Sequence, residues 1–477
     1  MKSYETVIGL EVHVELATNT KIFCGCTTEF GGAPNTHCCP VCTGMPGTLP
    51  VLNKQVVEFA IAAGLATNCT ITQNCKFDRK NYFYPDLPKA YQVSQLYLPI
   101  CRDGGIEIEV GGVKKTIGIH EIHMEEDAGK LVHDEWDDCT LVDYNRCGVP
   151  LIEIVSDPDM RSADEVIAYL EKLKLILQYL GVSDCKMQEG SLRADINLSI
   201  REVGAPEFGT RTEMKNMNSF KAIARAIEGE RKRQIELIEY GKKVTQETRR
   251  WDDNKDTSFA MRSKEDAQDY RYFPEPDLVP IEISDEWLET VKKRQPELRD
   301  EKMTRYETEY DIPEYDASLI TSSKKLADIF EATVVICDRP KEVSNWIMVE
   351  TMRLLKEHEM EPENIGFTPE NLAKLIGLID AGAINRTVAK EVFEVVFTEN
   401  IDPESYVKEK GLLIVNDEGE LRKTIEEIVA SNPQSVEDYH NGKTKAMGFL
   451  VGQTMKAMKG KADPGMINKI VLELLQK

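Results

Sequence analysis

One pattern limits the fold of this chain more than any other: ionisable and apolar side chains alternate along short segments. Residues 7–16 read Val-Ile-Gly-Leu-Glu-Val-His-Val-Glu-Leu. Because successive side chains of a β-strand point to opposite faces, Glu11, His13 and Glu15 share one face and the apolar residues share the other. The segment is therefore predicted to be a strand with one core face and one polar face. A wet sheet surface would by itself explain a single strand of this kind.

The same alternation returns in three later segments of the chain. Residues 120–126 place Glu121, His123 and Glu125 on one face. Segments 192–200 and 211–220 contribute the polar side chains Arg193, Asp195, Asn197, Ser199, Arg211, Glu213 and Lys215. We expect the four strands to meet in one sheet, with their acidic residues on a common surface.

Carboxylates held close together repel one another unless a cation neutralises them. Several carboxylates with a histidine, and no thiolate among them, suit a hard cation such as Mg²⁺. The cations Arg193 and Lys215 on the same faces would suit a polyphosphate bound to that metal. The pattern therefore indicates a phosphoryl-transfer site, in which catalysis consists mainly of positioning and charge neutralisation. The chain has no Walker motif, so an ATP site would be of another type.

Five of the twelve cysteines lie between residues 24 and 42. Cys24 and Cys26 form a C-x-C pair, and Cys39 and Cys42 form a C-x-x-C pair. Two close pairs of thiolates are typical of a structural zinc site, which would brace the loop 24–42 without catalysing anything. Free buried cysteines and a redox pair are the alternatives.

The order of helix and strand signals predicts an α+β chain. Residues 1–293 are strand-rich, with helices that begin at Ser162 and Ser219. Residues 294–405 carry helix signals only, including Thr368 before Pro369, and residues 406–477 are also predicted to be helical, with a cap signature at Ser435. The boundaries 1–293, 294–405 and 406–477 are the predicted domains.

The charge distribution argues against a protein that coats nucleic acid, because the net charge is −23. Residues 440–477 are different, since they hold seven lysines and two acidic residues. This stretch is either a solvated helix face or a small phosphate-contacting module. No run of about 20 apolar residues and no signal-peptide core occurs, so a cytoplasmic protein is expected.

Residues 78–92 combine flat rings and cations, among them Tyr82, Tyr84 and Lys89. Such rings can stack unpaired bases. Aromatic packing beneath a proline-containing loop is an equally good explanation of the composition.

Several long motifs, taken together, resemble one protein family. They occupy residues 7–16, 80–89, 191–199, 213–220, 269–278 and 448–457. In sequence and in order they resemble the B subunits of the bacterial tRNA-dependent amidotransferases, the GatB family, over essentially the whole chain. The resemblance implies a cradle-like α+β catalytic domain, a helical domain and a small helical tail.

The resemblance also implies a reaction. Such a protein binds Glu-tRNA(Gln), Asp-tRNA(Asn) or both, and uses Mg·ATP to phosphorylate the side-chain carboxylate. Ammonia that a partner glutaminase, the A subunit, releases from glutamine then displaces the phosphate, within a complex that includes a small C subunit. Because an acyl phosphate carries a good leaving group and a carboxylate does not, ATP is needed.

Roles follow for individual residues of this sequence. Glu11, His13, Glu125 and Glu213 would hold Mg²⁺, with Asp195 as a catalytic neighbour, and Asn197 and Lys215 would contact ATP. Cys24, Cys26, Cys39 and Cys42 would hold zinc. The candidate tRNA contacts are Tyr82, Tyr84, Lys89, Lys445, Lys456 and Lys459.

Two other functions remain open at this point. A tRNA-binding scaffold without chemistry would keep the basic tail but leaves the acidic strand faces unexplained. A stand-alone metal-dependent phosphoesterase would use those faces but would need no partner.

Overall fold

The structure is a computed structural model that describes residues 3–133, 138–263, 269–414, 418–441, 443, 445–458, 462 and 464–476. The chain divides into two compact units, Met1–Leu298 and Arg299–Lys477. The first unit combines strands with helices, and the described part of the second unit is helical. The predicted α+β class is thereby confirmed.

The first unit contains sixteen strands and four helices among its described residues. In chain order they are β1 (Tyr4–Glu15), α1 (Lys54–Ala66), β2 (Thr70–Ile71), β3 (Asn74–Cys75), β4 (Asp78–Asn81), β5 (Tyr91–Ser94), β6 (Cys101–Val110), β7 (Val113–Glu126), β8 (Lys130–His133), β9 (Thr140–Asp143), β10 (Pro150–Ser156), α2 (Ala163–Tyr179), β11 (Leu192–Glu202), β12 (Thr212–Lys215), α3 (Phe220–Glu239), β13 (Glu247–Asp252), β14 (Thr257–Ser263), β15 (Phe273–Pro274), β16 (Ile281–Glu282) and α4 (Asp285–Lys293).

One nine-stranded sheet organises this unit, in the order β14-β13-β12-β11-β1-β10-β7-β6-β2. The strand β1 lies near its centre and pairs antiparallel with β10 and β11. Apolar residues of β1, such as Leu10 and Val12, are fully buried, and helices α1, α2 and α3 pack on the sheet beside them. The alternation in the sequence thus places the core on one face and leaves the polar residues on the other.

Both helices expected in the first unit are present. Ser162 caps α2, and its hydroxyl accepts from the Glu165 amide at 3.2 Å. The Glu165 carboxylate accepts from the Arg161 amide at 2.8 Å, one residue before the cap, and so pairs a backbone donor beside the start of the helix. Ser219 caps α3 in the same way.

The helices of the second unit are α5 (Arg299–Tyr310), α6 (Glu314–Ile320), α7 (Lys324–Cys337), α8 (Pro340–Asn345), α9 (Met352–Glu357), α10 (Pro369–Asp380), α11 (Arg386–Glu399), α12 (Pro403–Glu409), α13 (Glu418–Ser431), α14 (Pro433–His440), α15 (Lys445–Ala457) and α16 (Pro464–Leu475). A π-helix at Trp346–Thr351 joins α8 to α9, and a 3₁₀ turn lies at Pro362–Asn364. No helix of the described residues combines the length and apolar character needed to cross a membrane.

The predicted cap at Ser435 is wrong, because the cap of α14 lies three residues earlier. Its cap position is Asn432, Pro433 is the first helical residue, and Ser435 lies inside the helix. Proline is well suited to the first helical position, since its missing N–H has no partner there anyway. Buried apolar residues of the second unit form two separate clusters, at 306–407 and 421–475. The boundary at 405/406 stays a prediction.

Candidate functional site

The four alternating segments lie side by side in the large sheet. The neighbouring strands β12, β11, β1, β10 and β7 carry their polar residues on one face, opposite the helices. Register places Glu11 opposite Asp195, and His13 opposite Glu153. Residues directly opposite each other in an antiparallel pair point to the same side, so distant parts of the sequence share one surface.

Three carboxylates form the first group on this surface. Glu11, Asp195 and Glu213 each offer an oxygen, and these oxygens lie within 4.8 Å of one another. The Lys215 ammonium contacts Asp195 and lies 2.9 Å from Glu213 Oε1. Two of the carboxylates also accept a hydrogen bond from a neutral side chain. Asn197 Nδ2 donates to Glu11 Oε1 at 2.9 Å. Thr248 Oγ1 donates to Glu213 Oε2 at 2.7 Å.

The electrostatics of this first group favour a cation. The pKa of Glu11 is raised by its burial and by the negative charges of Glu153 and Glu213, although the Asn197 hydrogen bond opposes this. Burial disfavours the charged form of Lys215, but Asp195 and Glu213 outweigh it and raise the lysine pKa. The structure thus shows one ammonium already placed among three crowded carboxylates.

A second group lies on the adjoining strands. Ligand atoms of His13, Glu125 and Glu153 fall within 4.8 Å of one another. His13 Nε2 is 3.5 Å from Glu125 Oε1 and 3.6 Å from Glu153 Oε2. The Ser94 hydroxyl donates to Glu125 Oε2 at 3.4 Å. Two carboxylates and one imidazole can therefore converge on a single point.

His123 stands behind this second group. Its Nε2 is 2.9 Å from Glu153 Oε2, and its Nδ1 is 3.6 Å from Glu121 Oε1. Burial disfavours the imidazolium, but the carboxylates of Glu121, Glu125 and Glu153 raise the His123 pKa well above its usual value. Burial opposes ionisation of Glu153 too, yet the His123 hydrogen bond and charge lower its pKa to about 2. The pair is therefore an imidazolium beside a carboxylate.

A cleft of about 870 Å³ opens beside both groups. His13, Asp195 and Lys215 contribute to its lining. Its other walls come from residues 28–32, 187–190 and 215–218 and from parts of strands β8 and β9. This volume is in the range of small-molecule binding sites.

A carboxyl pair with two arginines borders the same cleft, and Glu15, Arg146 and Arg193 belong to its lining. Arg193 Nη2 is 2.8 Å from Asp127 Oδ2, and Arg146 Nε is 3.4 Å from the same oxygen. Glu15 is next to Asp127, and its burial together with that negative charge raises the Glu15 pKa to about 8. This wall therefore offers both cations and a carboxyl group that holds its proton near neutral pH.

The four cysteines chosen from the sequence come together. Sulfur atoms of Cys24, Cys26, Cys39 and Cys42 lie within 4.8 Å of one another. The hydrogen bond with Cys24 is the main cause that lowers the Cys42 pKa to about 4, while the same bond raises the pKa of Cys24. Cys38 is not a member, and its thiol donates to the Asn35 carbonyl at 3.3 Å. Four sulfurs at this spacing suit a tetrahedral metal site.

The aromatic segment is divided between surface and core. Tyr84 is half exposed, whereas Tyr82 packs edge-on against Tyr270 with ring centroids 5.9 Å apart. Lys89 is largely buried and forms an ion pair with the buried Glu126. Lys89 is therefore already neutralised by a carboxylate.

The basic tail is partly described. Lys445 and Lys456 lie on α15 and are exposed. Lys459 lies outside the described residues.

Comparison with known proteins gives one family. The GatB/GatE catalytic domain matches residues 6–289, and the GatB domain matches residues 328–475. The chain is 80% identical to the B subunit of the aspartyl/glutamyl-tRNA(Asn/Gln) amidotransferase of Lachnoclostridium phytofermentans over all of both chains. The proteins of the same name are 72% identical in Agathobacter rectalis, over all of both chains, and 61% identical in Caldicellulosiruptor bescii, over 99% of both.

The chain belongs to the GatB family. The resemblance found in its motifs is thereby confirmed. In this family member, Glu11, His13, Glu125 and Glu213 occupy one face of the sheet, but within the described residues they do not form one set of ligands. They are divided between the two groups, and Asp195 belongs to the first of them.

Sequence reasoning missed Glu153, although a signal was present. Residues 150–156 read Pro-Leu-Ile-Glu-Ile-Val-Ser, and a lone acid in an apolar strand points to a paired or metal-bound side chain. His123 was placed on the correct face from its spacing, but its partnership with Glu153 depends on the pairing of β7 with β10. Thr248 comes from β13, which pairs parallel with β12.

Proposed function

We propose that this chain is the ATP-using, tRNA-binding B subunit of an aspartyl/glutamyl-tRNA(Asn/Gln) amidotransferase. It acts in a complex with a glutaminase, the A subunit, and with a small C subunit, and its substrates are Glu-tRNA(Gln), Asp-tRNA(Asn) or both. The relatives that bear this name match the chain from end to end. The observation that carries the chemistry is that each of the two acidic groups contributes a residue, His13 or Asp195, to the lining of one cleft.

The reaction has two steps. An oxygen of the substrate's side-chain carboxylate attacks the γ-phosphorus of ATP, and ADP leaves. Ammonia then attacks the carbonyl carbon of the acyl phosphate, and inorganic phosphate leaves with the former carboxylate oxygen. The product is Gln-tRNA(Gln) or Asn-tRNA(Asn).

Both groups have donor sets that fit Mg²⁺. Glu11, Asp195 and Glu213 offer oxygen only. Burial, and then repulsion from Glu153 and Glu213, raise the pKa of Glu11, and a bound cation would oppose both causes. His13, Glu125 and Glu153 offer two carboxylates and one imidazole. When bound, Mg²⁺ would neutralise charge on the phosphate oxygens of ATP during transfer.

The chain's own residues would hold these ligands in place. Asn197 and Thr248 each donate to one carboxylate of the first group, which fixes the direction in which it points. His123 supplies a positive charge behind the second group. Lys215 lies at the edge of the cleft, where its ammonium would contact a phosphate of ATP once a metal occupies the carboxylates.

The cysteine site would hold structural Zn²⁺ in this proposal. Cys24, Cys26, Cys39 and Cys42 supply four thiolates with no position left for a substrate. The metal would fix both ends of the loop, whose middle, residues 28–32, lines the cleft.

The tRNA would be contacted at two places. Lys445 and Lys456 would bind phosphates of the tRNA body, and Lys459 remains a candidate beside them. Tyr84 would offer an exposed ring to the tRNA end. Lys89 and Tyr82 would act indirectly, because both already pack within the first unit. We retain residues 1–293, 294–405 and 406–477 as the catalytic, helical and tail domains.

A trapping experiment tests the function. The reconstituted complex is given Glu-tRNA(Gln) and ATP labelled at the γ-phosphate, without glutamine or ammonia, and label on the aminoacyl-tRNA is measured. Labelled aminoacyl-tRNA is expected, and the Glu213→Gln complex should bind the tRNA normally without forming it. Full amidation by the Glu213→Gln complex would favour a scaffold instead. ATP-independent phosphoester turnover by the isolated chain would favour a hydrolase.

A further inference from the structure

A fully buried lysine lies against the cysteine site. The Lys21 side chain has no exposed surface, and its Nζ donates to Cys42 Sγ at 3.6 Å. The same nitrogen donates to the His37 carbonyl at 2.7 Å. Lys21 is held at its other end as well, because its backbone amide donates to the Cys26 carbonyl at 3.0 Å.

A buried ammonium normally needs a carboxylate partner. Lys302, the other buried lysine among the described residues, has one, since its Nζ lies 2.6 Å from Glu331. For Lys21, no carboxylate of the described residues lies within ion-pair distance. Because an uncompensated buried charge is strongly unfavourable, the ammonium needs a negative charge nearby, and the Cys42 sulfur is the group in contact with it that can carry one.

When a divalent metal ion is bound at the cysteine site, the charge that remains there favours a cation such as the Lys21 ammonium. Four thiolates and one divalent ion leave a net charge of −2 in a partly buried position. An ammonium in contact with one ligand sulfur halves that excess, and the contact is strong because little water reaches it. The second hydrogen bond, to His37, ties the segment between the two cysteine pairs to the same nitrogen.

We propose that Lys21 is a positioning residue of the metal site, which compensates thiolate charge and orients Cys42. This inference rests on the zinc proposed above. Lys21 is not a ligand, since an ammonium has no lone pair to donate. It acts through Cys42 and through the loop that carries Cys39.

Zinc retention in the intact complex tests this role. Lys21→Met keeps most of the buried aliphatic volume and removes the charge and the donor, while Lys21→Gln keeps a donor without charge. Lys302→Met is the matched control. It removes the other buried lysine of the described residues, which lies in the second unit and not in the unit that carries the cysteines. Zinc content and the concentration of a competing chelator that removes half of the metal are measured for each.

We expect Lys21→Met to lose at least about tenfold in apparent zinc affinity, the usual range for partners of metal ligands. Lys21→Gln should fall between it and the unaltered protein, and Lys302→Met should match the unaltered protein. In complexes loaded with Co²⁺, the sulfur-to-metal absorption band should move to lower energy in Lys21→Met, since a thiolate without its hydrogen bond gives up an electron more easily.

The outcomes separate the two proposals. If the unaltered complex binds neither Zn²⁺ nor Co²⁺ at the cysteines, the zinc proposal is contradicted. If it binds zinc and Lys21→Met retains it within about twofold, with an unchanged cobalt band, the role of Lys21 is contradicted. Should Lys21→Met not fold, Lys21→Gln gives the same comparison. If neither folds when zinc is supplied, Lys21 is a residue of the fold and the inference is overturned.

Discussion

Glu153 shows most directly how a single residue couples parts of the site. Its carboxylate lies between His13, at 3.6 Å, and His123, at 2.9 Å. It is therefore both a candidate metal ligand and the counter-charge of a buried imidazolium. Replacing it with an isosteric amide removes the charge while keeping the shape.

We expect Glu153→Gln to lower kcat for tRNA-dependent ATP hydrolysis by about 10²–10³-fold, the range seen when one preorganised electrostatic group is lost. Glu107→Gln, the same change at an exposed position of β6, should leave kcat unchanged. The measurement is kcat in the complex, with zinc content and binding of charged tRNA as checks on folding. Full activity of Glu153→Gln would remove this residue from the site.

The sequence predicted which face of each strand carries the polar residues. It did not predict that the candidate metal ligands divide into two groups. Alternation fixes which side of its strand a residue occupies, so Glu11, His13, Glu125 and Glu213 were placed correctly on one surface. Which residues lie within reach of one ion depends on strand order and register, and these are set by long-range pairing. The partnership of Glu153 with His13 and His123 depends on this pairing, although the lone acid in an apolar strand was a local signal.

At the scale of elements, the loop 24–42 is fastened to strand β9 by one asparagine. The Asn35 amide donates to Asp143 Oδ1 at 3.0 Å, its side-chain Nδ2 donates to the Val142 carbonyl at 3.0 Å, and its Oδ1 accepts from the Tyr144 amide at 2.8 Å. Its backbone is left-handed, with φ 59°, which asparagine tolerates better than most residues. The contact joins the loop, whose residues 28–32 line the cleft, to Asp143, which lines it as well.

Asn35→Gly removes the two side-chain hydrogen bonds, and glycine adopts the left-handed backbone conformation without strain. Asn35→Ala removes the same bonds and adds backbone strain at this positive φ. We expect both to raise KM for charged tRNA, by about fivefold for each hydrogen bond that contributes ~1 kcal/mol, and to leave kcat nearly unchanged. Thermal unfolding should show the larger loss of stability for Asn35→Ala. Unchanged KM in both variants would mean that the loop does not shape the binding cleft.

Helix α3 is joined to the sheet by a buried carboxylate. Glu230 accepts hydrogen bonds from Thr212, Gln234 and Arg233, and Arg249 lies 3.6 Å away. Burial opposes its ionisation, but the bonds from Arg233 and Gln234 outweigh this and lower the Glu230 pKa below 4.5. A carboxyl group whose pKa is lower in the folded than in the unfolded state stabilises the fold at pH values above its unfolded-state pKa. This contribution is lost as the pH falls through the folded-state pKa.

We expect the unfolding temperature of the unaltered chain to drop more steeply below pH 4.5 than that of Glu230→Gln. Near pH 7 the variant should be destabilised by about 1.5–3 kcal/mol, because the charge-assisted bonds to Glu230 are weakened while Arg233 and Arg249 keep Glu247 as a partner. Glu228→Gln, the same change at a half-exposed position of the same helix, is the control. Calorimetry between about pH 2 and 8 measures both effects, and parallel curves for the variant and the unaltered chain would contradict them.

At the scale of the whole molecule, the basic tail contrasts with an acidic chain. The net charge is −23, yet Lys445 and Lys456 are exposed on α15 in a region rich in lysine. Composition identified this region, but it could not separate a solvated helix from a phosphate-binding one. Nor could it fix the boundary at 405/406, because helical signals continue through it.

We expect Lys445→Glu/Lys456→Glu to raise KM for charged tRNA without changing kcat. The dependence of the logarithm of affinity on the logarithm of salt concentration should become shallower, by about one for each lysine–phosphate pair that the substitutions remove. Lys242→Glu/Lys243→Glu, with the same charge change at exposed positions after α3, is the control. If both double variants raise KM for charged tRNA equally, the cause is the change in net charge and not the loss of a tRNA site in the tail.

In the proposed reaction, this chain activates a carboxylate by phosphorylation before ammonia attacks it. The most direct measurement uses Glu-tRNA(Gln) with ¹⁸O in both side-chain carboxylate oxygens, amidated by the complex with ATP and glutamine. Because the oxygen that attacks ATP leaves with the phosphate, mass spectrometry should find one ¹⁸O in the inorganic phosphate for each Gln-tRNA(Gln) formed. Inorganic phosphate without ¹⁸O, formed during full amidation, would contradict the proposed chemistry.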